Sequence, residues 1–476
     1  MPIRLYNTLT QSIEVLHPLH PGKVQMYTCG PTVHDRAHIG NFRSYLAEDL
    51  LRRHLEARGL KVEQVMNITD VDDKIIAKAS ARHETLSQFT KPYIDAFFTD
   101  LELLGIEPAT HFPRATDYIP QMLALVERLV ASDHAYVSDG SVYFRLQSFP
   151  NYGRLTRLDV QGLSTGASGR IDSDEYEAKE AVRDFALWKK GAEGDLAAWP
   201  SPFGWGRPGW HLECSAMATE LLGETLDIHC GGVDNKFPHH ENEIAESEAA
   251  TGKQFVRLWF HVEHLLVEGG KMAKSQGNFV TLHSLMERGH SPLAVRYHLL
   301  GNTHYRQRLH FREEDLVGAS ESLDRLATFW RRCAAAHEGE LRTAGSGDPL
   351  TVAAQRAKDR FEAAMDEDLN LPLGIGSLHD LVREGNRLLD EGRAGGDGCG
   401  AALSALRAAD SRLNVIERAA VSEDAQLSPE ERQTLDRREE ARRKGNYSKA
   451  DRIRDQLLEL GIVLEDTKEG TRWHRL

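Results

Sequence analysis

Apolar residues in the opening segment follow two periods in alternation, and each period implies an element. Residues 23 to 29, Lys-Val-Gln-Met-Tyr-Thr-Cys, form an apolar, β-prone run ending at the turn signal Gly30-Pro31, which predicts a buried strand. From His38 to Leu55 the apolar positions Ile39, Phe42, Leu46, Leu50 and Leu55 recur near helical spacing, with Glu48, Asp49, Arg52 and Arg53 between them. Lys61 to Ile68 returns to a strand pattern. Strand, helix, strand in that order predicts a parallel sheet whose ligands bind at the carboxyl ends of its strands.

Further along, β-prone pieces at Ala135-Tyr136-Val137 and Ser141-Val142-Tyr143-Phe144 precede a Gly/Ser-rich segment from Gly162 to Gly169. This stretch, residues 119 to 200, reads as an insertion. Strand-like Thr225 to His229 and a helix after Pro238 suggest that the parallel sheet resumes near residue 205, so the sheet is split. After residue 320 the pattern is helical, with Leu323, Leu326 and Trp330, then Leu369, Leu373, Leu378 and Leu381, supplying apolar faces. Gly392 to Gly400 is too glycine-rich to sustain a helix and is expected to loop between two of them. Another break near Val421 to Ser428 sets off a small C-terminal unit, and no fixed-period repeat occurs.

Composition narrows the class. At 476 residues the chain exceeds what one hydrophobic core organises, so several domains are expected. Hydrophobic residues at 41% and charged residues at 27% are ordinary for a packed protein and exclude wholesale disorder. No signal-peptide-like run and no stretch approaching the ~20 apolar residues of a membrane span is present, so no membrane partner and a cytoplasmic setting are expected. The five cysteines, Cys29, Cys214, Cys230, Cys333 and Cys399, are odd in number and widely spread, which suits reduced thiols or metal ligands. A formal net charge of −14 argues against nucleic-acid binding by the field of the whole molecule. A local surface remains open: residues 428 to 476 hold 12 Lys and Arg against 11 Asp and Glu. There Arg437, Arg438, Arg442, Arg443, Lys444, Lys449, Arg452 and Arg454 could meet phosphate, and Trp473 with Arg472 could stack on a base. From charge alone, a solvated helix face is an equal reading.

Three segments carry chemistry. Cys29-Gly30-Pro31-Thr32-Val33-His34-Asp35-Arg36-Ala37-His38-Ile39-Gly40-Asn41 joins a strand end to a helix start, where unpaired N–H groups and the positive dipole end attract phosphate. Gly40 permits close approach and His38 can donate to phosphate oxygen, although His-x-Gly by itself is also compatible with capping or packing. Lys271-Met272-Ala273-Lys274-Ser275 follows a Gly269-Gly270 break; its lysines can neutralise a polyphosphate, or the segment is a solvated basic turn. The third set is Trp210, His211 and Cys214 with Pro238-His239-His240-Glu241-Asn242-Glu243. Pro238 suits a first helical turn, which would put His239 and Glu243, at i and i+4, on one face. Cys29 and Cys214 would complete an N, O and two-S donor set suited to Zn²⁺ if the fold brings them together; otherwise these are inert core thiols beside a solvated helix. No P-loop competes for ATP, and Gly204 to Gly209 matches Gly-x-Gly-x-x-Gly without the preceding apolar strand a dinucleotide site needs.

The His38-Ile39-Gly40-Asn41 and Lys271-to-Ser275 segments, in this order, resemble the His-Ile-Gly-His and Lys-Met-Ser-Lys-Ser signatures of class I aminoacyl-tRNA synthetases. The match departs at Asn41 and at Ala273, and Asn41 fits the cysteine-specific branch. With the third segment the chain resembles the cysteinyl-tRNA synthetase family from Tyr6 to Trp473. The resemblance implies an α/β fold: a split Rossmann-like parallel-sheet catalytic domain (1–118 and 201–262) with an inserted subdomain (119–200). A stem-contact region (263–320) follows, then a helical bundle (321–420) and a small C-terminal α+β domain (421–476) on the anticodon side. It implies one Zn²⁺ per chain on Cys29, Cys214, His239 and Glu243, with Thr69, Trp210 and His229 around the amino acid. ATP, accompanied by Mg²⁺, would be held by Gly30, His38, Gly40, Asn41, Lys271 and Lys274, of which His38, Lys271 and Lys274 serve catalysis. The implied partners of a monomeric enzyme are L-cysteine, ATP and tRNA(Cys), joined through cysteinyl-adenylate with release of AMP and pyrophosphate. Zinc ligation would separate cysteine from serine, which shape alone distinguishes poorly. Outside this branch, Thr69 would serve as a helix N-cap ahead of Asp72 and Trp210 as plain core. Cys230 is expected not to be a ligand. A ligase joining cysteine to an amino sugar has a similar architecture, but the long helical and basic C-terminal portion argues against it.

Overall fold

A short antiparallel hairpin, β1 (Arg4–Asn7) and β2 (Ser12–Val15), leads into β3 (Lys23–Thr28), α1 (Ile39–Ala57) and β4 (Lys61–Met66). The protein is represented by a computed structural model that describes residues 2–157, 184–267, 270–272, 278–338, 347–425, 429–460, 462–467 and 470–475. All of β3 beyond Lys23 is buried, as expected of a central parallel strand covered on both faces. Helices α2 (Asp73–Ala81), α3 (Leu86–Leu104) and α4 (Ile119–Ala131) follow. The chain then builds a separate antiparallel sheet from β5 (Ala135–Ser138), β6 (Ser141–Phe144), β7 (Phe185–Lys190) and β8 (Gly206–Pro208). The Gly162 to Gly169 segment lies outside the described residues. Residues 206 to 208 still belong to this antiparallel sheet, so the parallel sheet resumes later than residue 205.

It resumes after α5 (Leu212–Leu222) with β9 (Leu226–Gly232), α6 (Glu241–Thr251) and β10 (Val256–Val262). The order is β10-β9-β3-β4, all parallel, with Tyr27 opposite His229 and Thr28 opposite both Cys230 and Met66. From β3 the chain goes to β4 on one side, whereas β9 enters on the other. The carboxyl ends of β3 and β9 therefore flank a topological switch point, the crevice where open α/β sheets bind ligands.

Beyond the sheet come β11 (Leu265–Val267), β12 (Gly270–Lys271), α7 (Leu282–Glu287), α8 (Pro292–Gly301) and β13 (Leu309–Phe311), the three strands forming a small sheet of order β12-β11-β13. The bundle consists of α9 (Asp315–Glu338), α10 (Pro349–Asp366), α11 (Leu371–Asp390), α12 (Gly396–Leu413) and α13 (Ile416–Ala425). Helices α14 (Pro429–Arg443) and α15 (Tyr447–Glu459) with the hairpin β14 (Ile462–Thr467) and β15 (Gly470–Arg475) form the C-terminal unit around Leu435, Ile453, Leu457, Ile462 and Leu464. Among the described residues no helix is long and apolar enough to cross a membrane.

Three sequence readings change. First, Glu48, Asp49 and Arg52, the polar positions between the apolar ones of α1, are themselves buried. The bundle covers the side of α1 away from the sheet, and one apolar core runs from β3 through α1 and α8 into α9 to α12. Second, Arg438 is buried and donates to Thr471 Oγ1 at 3.0 Å, so it is not displayed to an RNA, whereas Trp473 packs half-buried on the C-terminal core. Third, helix α12 starts at Gly396, inside the segment expected to loop. The cause is Asp348, the N-cap of α10, whose Oδ2 accepts from Gly395 N at 2.9 Å and Gly398 N at 3.2 Å while Oδ1 accepts from Leu350 N at 2.8 Å. A Cβ on Gly398 would stand 2.5 Å from that carboxylate, so glycine is what lets one acid cap two helices. We predict that Asp348→Ala destabilises the bundle by about 2–3 kcal/mol, with partial recovery in Asp348→Asn. An unchanged thermal unfolding midpoint in Asp348→Ala would contradict the double cap.

Candidate active site

The crevice between β3 and β9 collects side chains from four places in the chain. Cys29 stands one residue beyond β3, its N–H donating to Cys230 O at 3.2 Å. Behind it Gly30 N donates to Asn67 Oδ1 at 2.9 Å, and a Cβ on Gly30 would lie 1.7 Å from Asn67 O, so this close approach requires glycine. The first turn of α5 supplies Cys214, the tight turn Lys236–His240 supplies His239, and the first turn of α6 supplies Glu243. One ligand atom from each of these four residues lies within 4.8 Å of the other three, and all four are buried. Pro238 sits in that turn rather than in the helix itself, yet the i, i+4 pair still meets, with His239 Nε2 at 3.1 Å from Glu243 Oε1.

The donor chemistry fits a soft divalent cation. Glu243 Oε1 is buried and has no hydrogen-bond partner although an imidazole nitrogen stands beside it, the relation expected of co-ligands aimed at a common centre. Burial pushes the Cys29 thiol up to about 11 and raises the Cys214 thiol as well, so the protein alone does not hold thiolates here. A cation would supply the missing charge and release the protons.

Around the quartet lies a layer of rings, of which the sequence marks His229 for the amino acid and places His211 and His240 in the third segment without a role. His229 Nε2 is 2.9 Å from Glu243 Oε2, His211 Nδ1 is 3.0 Å from His239 Nδ1, and His240 Nε2 is 3.3 Å from Cys29 Sγ. From His240 the contacts continue to His261 Nε2 at 2.8 Å and, from its other nitrogen, to Thr8 Oγ1 at 2.8 Å. Such partners orient metal-binding side chains. Within the His239-His240 doublet, spacing could not tell which ring belongs to this layer. Cys29, His229, His240 and Glu243 also lie within 4.8 Å of one another, so this layer could itself contribute ligands. Cys230 is in neither donor group: alternation along β9 turns His229 toward Tyr27 and Trp259, and Cys230 into the core against α1.

Trp210 is half-buried and stacks on His239, ring centroids 4.4 Å apart, so it belongs to the pocket wall rather than the core. Thr69 is not an N-cap. Asp72 caps α2, accepting from Ile75 N at 2.6 Å, whereas Thr69 Oγ1 donates to buried Glu213 Oε1 at 2.6 Å.

At the other end of the crevice His38 is the N-cap of α1. Its Nδ1 accepts from Asn41 N at 3.1 Å and Asn41 Oδ1 accepts from His38 N at 3.1 Å, a reciprocal box that gives Asn41 a structural task. Burial lowers the pKa of His38, so the ring is neutral near pH 7; with Nδ1 accepting, the proton resides on Nε2, ready to donate. A Cβ on Gly40 would lie 2.7 Å from Met272 Cε, which brings the second motif against the first. Lys271 continues the short strand β12, paired with Leu266, whereas Lys274 lies outside the described residues.

Beneath the site Glu48 is buried with both oxygens unpaired, and burial raises its carboxyl from 4.5 to about 8. A folded-state value above the unfolded one means this group's stabilisation is complete below about 4.5 and is lost as pH rises through 8. Between about pH 5 and about pH 9 the thermal midpoint should fall more steeply in the native protein than in Glu48→Gln. Parallel curves would show that Glu48 does not carry the proton.

Residues 15–321 match the family described as tRNA synthetases class I (C) catalytic domain. Residues 360–416 match the DALR domain and 424–473 the cysteinyl-tRNA ligase anticodon binding domain. The chain is 46% identical over 478 residues to the cysteine–tRNA ligase of Solibacter usitatus, covering 100% of both chains. It is 45% identical over 475 residues to that of Protochlamydia amoebophila, covering 99% of this chain and 98% of the relative. Among solved structures, Mycobacterium tuberculosis methionyl-tRNA synthetase with methionyl-adenylate superposes with a TM-score of 0.63 at 16% identity, covering 84% of this chain and 92% of the other. The LeuRS–tRNA–LeuAMS complex of Agrobacterium radiobacter gives 0.63 at 11% identity, covering 86% of each chain. At these identities the structural likeness is one of fold.

Proposed function

The chain belongs to the cysteine–tRNA ligase family of class I aminoacyl-tRNA synthetases, and on that premise we propose that it joins L-cysteine to tRNA(Cys) at the expense of ATP. The observation that carries the reading is the buried convergence of Cys29, Cys214, His239 and Glu243 beside Trp210. One Zn²⁺ held by these four would supply a soft Lewis acid that takes the substrate sulfur as thiolate and leaves serine unbound.

The remaining work falls to the chain's own residues. Thr69, Trp210 and His229 border the amino acid, and the hydrogen bonds of Thr69 to Glu213 and of His229 to Glu243 hold two of them rigid. The nucleotide, accompanied by Mg²⁺, lies along the start of α1, where Gly30 and Gly40 keep the backbone open and Asn41 holds the His38 ring with Nε2–H toward phosphate. The cysteine carboxylate oxygen attacks the α-phosphorus and pyrophosphate leaves; a hydroxyl of the terminal adenosine then attacks the carbonyl carbon, and AMP leaves. Lys271 and Lys274 offset charge as pyrophosphate departs. No side-chain nucleophile is required.

We assign 1–118 and 201–262 to the catalytic domain, 119–200 to a connective insertion and 263–320 to acceptor-stem contact. Residues 321–420 and 421–476 face the anticodon side. A monomer working in the cytoplasm is in keeping with five buried free thiols.

Cysteine-dependent ATP–pyrophosphate exchange by the purified protein, absent with serine, tests the reading, and transfer of label to tRNA(Cys) completes it. Cys214→Ala should lose the equivalent of zinc found by metal analysis in the native protein, and Cys230→Ala should keep it; the reverse pattern would reject the ligand set. Lys274→Ala should lower the adenylation rate by about 100-fold with little change in cysteine affinity. Unchanged exchange would remove Lys274 from the mechanism.

A further inference from the structure

Helix α1 reaches from the candidate active site to the bundle. It carries His38, Gly40 and Asn41 at its start, and its 19 residues make it about 28 Å long. Its distal half is held by charge. Arg296 of α8 is fully buried, with Nη2 2.6 Å from Asp49 Oδ2 on α1. Its Nε donates to Leu413 O at 2.6 Å, and its Nη1 to Leu104 O at 3.1 Å and Gly105 O at 3.2 Å. One guanidinium therefore grips α1, the end of α3 and the end of α12 together.

The end of α3 is gripped further. Gly105 O also accepts from Arg53 Nη2 at 3.0 Å and Asn414 Nδ2 at 2.9 Å, and Leu103 O accepts from Arg418 Nη2 at 3.3 Å. Gly105, at φ 66°, is the left-handed cap of α3, and a Cβ there would lie 2.2 Å from Arg418 Nη1. The negative end of α3 thus meets guanidiniums from α1, α8 and α13. Asp49 balances them, with Oδ2 also 2.9 Å from Arg53 Nε and Oδ1 accepting from Glu107 N at 2.9 Å.

We propose that Arg296 is a positioning residue for the tRNA-dependent half of the reaction, fixing the angle at which the helical bundle stands on the nucleotide-binding unit. The apolar core between the two units is continuous but non-directional, so it resists separation more than rotation. Hydrogen bonds to a carboxylate on α1 and to the ends of α3 and α12 resist rotation. A small slip at the junction is magnified along the bundle and displaces whatever nucleic acid the far end holds. Helix α1 keeps an independent seat, because Arg43 bonds Glu263 O at 3.1 Å and Gln307 O at 2.6 Å and the His38–Asn41 box closes its start. Adenylation should therefore be spared. Lysine cannot substitute, since its donors radiate from one nitrogen rather than a planar fork.

The inference rests on the ligase reading, and the experiment separates the two. Cysteine-dependent ATP–pyrophosphate exchange, charging of full-length tRNA(Cys) and charging of an acceptor-stem minihelix without an anticodon arm are compared in native protein and Arg296→Lys. Exchange and minihelix charging should stay within about twofold, while kcat/KM for full-length tRNA falls at least about tenfold. Arg418→Ala, which removes one outer contact, should give a weaker loss of the same pattern and serves if Arg296→Lys does not fold. Equal losses on full-length tRNA and minihelix, a matching loss of exchange, or no loss on full-length tRNA would each overturn the proposal. Absence of exchange in the native protein would instead strike the ligase reading itself.

Discussion

Two thiols, an imidazole and a carboxylate share a volume too small and too dry for their charges to coexist without a cation. All four are buried, one carboxylate oxygen is unpaired, and burial keeps the thiols protonated in the protein by itself. Nearly everything near the crevice follows from holding that arrangement. Gly30 lets a strand end pass Asn67 within reach of the quartet, and the rings of His211, His229 and His240 hydrogen-bond to three of its members. Helices α5 and α6 both begin at the site, so each places a donor in its first turn.

The same economy joins the two ends of the crevice. Gly40 admits Met272, so the segment leading toward Lys274 is referenced to the very turn that would bind nucleotide. Helix α1 then carries that reference into the bundle, where the ion pairs of Asp49 with Arg53 and Arg296 and the hydrogen bond of His54 to Asp366 replace solvent on its outer face. A helix whose polar positions are buried on both sides is costly unless every charge is matched. The matching is what makes the junction directional.

Several features were legible because they depend on local order. The strand ending at Thr28, the helix beginning after His38 and the pairing of His239 with Glu243 follow from periodicity and spacing. Other readings failed for one common reason. Glu48 and Asp49 look like a solvent face, Gly396 to Gly400 like a loop and Arg438 like a phosphate contact, until a distant element covers or caps them. In each case the deciding partner lies far along the chain: the bundle for α1, Asp348 for α12, Thr471 for Arg438.

The amino-acid order by itself determined which residue types were available, where strands and helices would begin, and that sulfur, nitrogen and oxygen donors occur in a pattern suited to one soft ion. Only the tertiary structure decided that Cys29 and Cys214, 185 positions apart, meet, that Cys230 turns away, and that Arg296 closes on α1 and on the ends of α3 and α12. The reason is physical: periodicity constrains which face a side chain takes on its own element, whereas a site at a topological switch point is assembled from elements that become neighbours only when the sheet is complete.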